Sequence, residues 1–202
     1  MRRHTISWLI CLVFFPTFIF ANSQIVHDYV PGGRAPRFEG PVTVWIGGED
    51  QLEGQYYVES VLRELTDIIP HVSIELVSSK SQANIRVYLT DSHEEWQQAI
   101  VRSEAEQATW QEKGQFIRGC TRVVSTASRR IKRADVILHL DFQTSGGQKL
   151  WVVRHEFMHA LGVTGHPRNH PDSVLNSMQP QEDKNGLFSD DDKAVLQAIY
   201  AD

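Results

Sequence analysis

Three histidines and one glutamate stand out by type and spacing. They lie in the segment His155-Glu156-Phe157-Met158-His159-Ala160-Leu161-Gly162-Val163-Thr164-Gly165-His166. On a helix, residues four apart share a face, so His155 and His159 can both turn an imidazole toward one metal ion. Glu156 is rotated by about a quarter turn from His155. That is too far round for a natural third ligand, but well placed to hold and deprotonate an attacking water. Gly162 can take a left-handed conformation, which stops the helix and lets the chain double back. His166 then offers the third nitrogen, with His170 as the rival. Three protein ligands and one open position describe a catalytic zinc site rather than a closed structural one. Imidazole-only ligation suits zinc best, although cobalt, nickel or copper could be loaded in its place.

Such a site needs elements to carry it. Leu150, Val153, Phe157 and Leu161 form the apolar stripe of a helix over about 148–161. Ser189, with Asp192 at the third helical position, opens a last helix that docks through Val195, Leu196 and Ile199. Upstream, Val42, Val44 and Ile46 alternate as a strand, and a helical period runs from about 55 to 69 before Pro70. Strands follow at 72–76 and 85–89. Ser92 and Glu95 look like a capping box, residues 104–114 resist placement, and 116–124 and 135–140 are further strands. Between those two strands, Arg129-Arg130-Ile131-Lys132-Arg133 reads as a solvated basic turn. The expected fold class is α/β (α+β): a single domain with a twisted mixed sheet, a long active-site helix and a C-terminal helix.

The N-terminus changes the bookkeeping of length and charge. Arg2 and Arg3 precede an apolar run from Trp8 to Phe20, too short for a comfortable span and suited to a signal-peptide core. Residues 1–23 are expected to be a signal peptide, cleaved before Gln24 or, alternatively, after Ala21. Residues 24–40 read as an irregular N-terminal segment, and 41–202 as the catalytic domain. The whole chain has 20 Lys+Arg against 25 Asp+Glu, and loss of the signal makes the formal charge of -5 more negative by two. That excludes a general nucleic-acid binder. It also removes Cys11 and leaves Cys120 alone, expected in the core. The mature protein is expected to be secreted or periplasmic, with no stable membrane insertion.

The segment HEFMHALGVTGHP resembles the zinc signature of the metzincin metallopeptidases and is most similar to the matrixin-like branch. The resemblance implies one catalytic Zn2+ bound by His155, His159 and His166, with Glu156 as general base. It also implies a peptide laid antiparallel to the edge strand of a twisted sheet. More loosely, SQANIRVYLT (81–90), HPDSVLN (170–176) and DDKAVLQAIY (191–200) resemble an uncharacterised family of exported bacterial domains related to that fold. Two departures stand out. The usual spacing would put the third histidine at 165, where this chain has Gly165 and then His166. The methionine expected beneath the metal is replaced by Leu175, with Met178 three residues on, and either could fill that floor.

The expected activity is thus a zinc-dependent endopeptidase acting on a peptide or protein substrate. An exported zinc-binding module without proteolysis and a zinc amidase acting on cell-wall peptides are the alternatives. The substrate backbone would join a sheet edge within 115–125 or 135–141. His139 is expected to be an exposed strand histidine, His27, His71 and His93 lack ligand spacing, and Tyr200 is expected to pack.

Overall fold

The computed structural model describes residues 18–48, 51–90, 119–140, 145–176 and 186–201. Five strands form one mixed sheet: β1 (Val42–Gly48), β2 (Ile74–Leu76), β3 (Ile85–Thr90), β4 (Gly119–Ser125) and β5 (Ile131–His139). Their order is β2-β1-β3-β5-β4. All neighbours are parallel except β4, which runs antiparallel along β5 with Thr121 opposite Val136. Among the described residues, the sheet edges are therefore β2 and β4. Of the two expected edge segments, 135–141 is corrected, because β5 is paired on both sides.

The strands form because their side chains alternate between a buried face and a half-open one. Val42, Val44, Ile85, Val87, Leu89, Ala134, Val136 and Leu138 are buried, whereas Thr43, Trp45, Arg86, Tyr88 and Ile137 are half-buried. The buried set joins one core with Val58, Val61 and Leu65 of helix α2 (Gln51–Ile68) and with Val152, Val153 and Phe157 of helix α3 (Gly146–Ala160). Complete burial of Phe157 alone contributes about 2–3 kcal/mol. Helix α4 (Asp190–Tyr200) closes the core with Val195, Leu196 and Ile199.

Both functional-end helices are capped locally. The Ser189 and Asp192 side chains make the expected capping box of α4. Ser145 and Gln148 make another, which starts α3 two residues before the position read from its apolar stripe.

Three expectations are corrected. Residues 24–29, expected to be irregular, belong to helix α1 (Phe18–Tyr29), after which the chain turns and runs on without regular structure to Gly40. The helix persists because Ile25 and Val26 pack on the core and Tyr29 and Val30 enter it, so tertiary packing supplies what a short segment lacks. Strand β5 begins at Ile131 rather than near 135. Lys132 and Arg133 thus project from a strand whose buried positions are Ile131 and Ala134, and the turn is confined to 126–130. His139 is buried rather than exposed, because alternation ends with Leu138, His139 and Leu140 all inside. Cys120 is buried as expected. The Ser92–Glu95 capping box, residues 104–114, His93, Met178 and residues 1–17 of the expected signal lie outside the described residues. Among the described residues, no helix is long and apolar enough to cross a membrane.

Candidate metal centre

Helix α3 carries His155 and His159 one turn apart, and a tight turn returns the chain to place His166 beside them. That turn is built at Gly162, which has φ +103°. The Gly162 N–H donates to the His159 carbonyl at 2.9 Å and the Val163 N–H to the Met158 carbonyl at 3.0 Å, the paired bonds of a Schellman stop. Tyr200 donates its buried hydroxyl to the Leu161 carbonyl at 3.1 Å, so it packs and also steadies the helix end. Three residues further on, the Gly165 N–H donates to the carbonyl of Tyr29 at 2.8 Å. The C-terminal end of α1 thus anchors the loop that presents His166.

The three Nε2 atoms converge. His155 and His159 are 3.2 Å apart, and His166 lies 3.3 Å from each. A tetrahedral ion with Zn–N of about 2.0–2.1 Å needs its nitrogens about 3.3 Å apart, so the triangle fits zinc. The tautomers fit as well. His155 donates from Nδ1 to the Val174 carbonyl at 2.8 Å, and His159 from Nδ1 to the Val163 carbonyl at 2.6 Å. Each bond orients its ring and leaves the Nε2 lone pair toward the shared point. Burial, then the neighbouring His159, pushes the His155 imidazole down to about 3. Burial likewise pushes His159 down to about 4 and lowers His166. The His155 and His159 rings are thus neutral, as ligands must be, well below neutral pH.

Glu156 is buried between α3 and strand β4. Its Oε2 accepts a hydrogen bond from the Thr121 hydroxyl at 2.7 Å. Gly119, two residues earlier on the same strand face, makes room for it. A Cβ there would strike Oε1 and come within 2.7 Å of the carboxyl carbon.

The rival ligand His170 lies outside the triangle. Its Nδ1 contacts Asp191 at 2.8 Å and its Nε2 contacts Asp28 at 3.1 Å, so it bridges α1 and α4. Both ring nitrogens are thereby committed to carboxylates. Leu175 is fully buried in the core. Its neighbour Val174 supplies the carbonyl under His155, and the loop is gripped from α4. Asp192 accepts the Ser173 hydroxyl at 2.6 Å and the Val174 N–H at 3.0 Å.

The family described as "Protein of unknown function (DUF2927)" matches residues 20–202. The chain belongs to this family. The match begins at residue 20, so it takes in α1 from its third residue. No curated protein matches the chain. Among solved structures, that of myroilysin matches with 14% identity and a TM-score of 0.49, covering 83% of this chain and 96% of that one. The structure brings together what the segment HEFMHALGVTGHP led one to expect: a mixed sheet, a helix carrying His155 and His159, and His166 beyond the glycine turn.

Sequence reasoning passed over Thr121, Gly119 and the gripping role of Asp192. A Gly-x-Thr step on a strand carries no distinctive signal. Asp192 was visible only as a helix cap.

Proposed function

We propose that this protein is a zinc-dependent endopeptidase, secreted or periplasmic, that cleaves peptide or protein substrates. The observation that carries the reading is the triangle of His155, His159 and His166 nitrogens at 3.2–3.3 Å, with Glu156 next to the first of them on the same helix. In this reading the three imidazoles hold the ion and Glu156 is the general base. Zinc, when bound, supplies a Lewis acid for the scissile carbonyl and for the attacking water. Glu156 receives the proton of that water on its carboxylate and passes it to the departing amine. The outer edge of β4 offers main-chain groups to an extended substrate, which would then lie beside the strand that touches Glu156. The string HEFMHALGVTGHP supports the matrixin-like branch within this reading, with Gly165 as the added loop residue.

The test is metal content by plasma mass spectrometry together with cleavage of a mixed peptide library. About one zinc per chain, absent from His155→Ala/His159→Ala, and cleavage abolished in Glu156→Gln are the expected results. A well-folded protein that takes up no zinc sinks the reading. So does a Glu156→Gln variant that cleaves as fast as the wild type.

A further inference from the structure

Glu156 sits on a helix, yet what holds its carboxylate belongs to the sheet. The Thr121 hydroxyl lies 2.7 Å from Glu156 Oε2 and 3.0 Å from the Glu156 main-chain oxygen. A threonine has one hydroxyl hydrogen to give, and a carboxylate competes for it better than a helix carbonyl. The hydroxyl is itself well fixed. Threonine is stiff at χ1, and pairing of Thr121 with Val136 sets its place along the strand. On the same face, the missing Cβ of Gly119 leaves the space in which Oε1 and the carboxyl carbon lie. The carboxylate therefore lies against β4, with the Thr121 hydroxyl on Oε2 and Gly119 beside Oε1.

We propose that Thr121 is a positioning residue for Glu156: by holding Oε2 it fixes the orientation of the carboxylate that is to receive the proton. This rests on the peptidase reading above. A glutamate side chain has three rotatable bonds, and a base that must meet water in one geometry gains from having them settled before substrate arrives. Strand β4 settles them, and it is also the sheet edge that an extended substrate would join. Substrate backbone and proton acceptor then share one strand as their reference, so the reacting carbonyl and the base keep register even if the helix shifts.

The experiment compares Thr121→Val and Thr121→Ser in the full chain, zinc-loaded, with three readouts. Zinc content is measured by plasma mass spectrometry. The kcat and KM are measured on a peptide that the wild type cleaves. The contact itself is read without activity from the carboxyl carbon resonance of Glu156 in glutamate-labelled protein, assigned as the peak missing from Glu156→Gln. The expected result for Thr121→Val is a displaced resonance, unchanged zinc and KM, and a kcat lower by on the order of 10- to 100-fold. Thr121→Ser, which keeps the hydroxyl, returns the resonance and most of the kcat. An unmoved resonance in Thr121→Val, or a serine variant as impaired as the valine one, overturns the proposal while leaving an active peptidase. A wild type that holds zinc but cleaves no peptide overturns the peptidase reading, and with it the role of Thr121 in proton transfer.

Discussion

Asp192, fully buried at the start of α4, accepts the Val174 N–H at 3.0 Å, and the carbonyl of that same Val174 takes the Nδ1 proton of His155. One carboxylate thus serves a helix cap and, through the single residue Val174, a candidate metal ligand. It accepts the Ser173 hydroxyl and the Ser189 N–H as well. Asp192→Ala strands these donors in the interior and is expected to destabilise the apo protein by about 3 kcal/mol, measured by urea unfolding. Zinc affinity, measured by competition with a chelator, should fall by roughly 10-fold or more, because the carbonyl orienting His155 is no longer held. Ser189→Ala removes only the cap and should cost about 1 kcal/mol, with little change in zinc affinity.

The candidate ligands make apo stability sensitive to acid. Burial holds His155 and His159 at about 3 and about 4, below the ordinary 6.5 of an unfolded histidine. Below about 6.5 the unfolded chain binds protons that the folded one refuses. Stability from these groups is therefore fully present above that pH and declines as pH falls toward their folded values. Chemical denaturation of the metal-free protein between pH 7 and pH 4 should show the loss. His155→Gln/His159→Gln should flatten it.

How much was legible follows from how local each signal is. The ligand face of α3 was readable because two histidines four apart and an apolar stripe repeat with the helical period. The glycine turn was equally local, and its φ of +103° bears out the left-handed stop. The α4 capping box is a four-residue pattern, found as expected. What escaped depends on elements meeting across the chain. Thr121 is 35 residues from Glu156, and only the β4–β5 register places it there. Helix α1 was missed because its evident role, burying Tyr29 and lending the Tyr29 carbonyl to Gly165, leaves no periodic trace in so short a segment.

His170 titrates in the opposite sense from the candidate ligands. Burial alone would push it down, but its hydrogen bonds to Asp191 and Asp28, with their charges, outweigh burial and raise it. The stability it contributes is fully present below about 6.5 and is lost as pH rises through its raised folded value. His170→Gln should remove an alkaline decline in stability while sparing the acid one. A decline of unchanged size in that variant would show that the bridge between α1 and α4 does not depend on the charge of His170.

Gly162→Ala is expected to be the most damaging single-methyl change near the site. Two separate penalties meet there. A residue with a Cβ rarely adopts φ +103°, and the Cβ would also run into the Pro36 carbonyl oxygen, a backbone atom that cannot swing aside. The expected loss is about 2 kcal/mol or more, read from urea unfolding. Gly162→Asn separates the causes, because asparagine tolerates left-handed backbone but still carries the Cβ. If the clash with Pro36 dominates, asparagine rescues nothing. The same turn puts the Val163 carbonyl under His159 Nδ1 at 2.6 Å. Either variant should therefore weaken zinc binding in step with its loss of stability, and intact zinc affinity in a destabilised Gly162→Ala would show that His159 is oriented by something other than this turn.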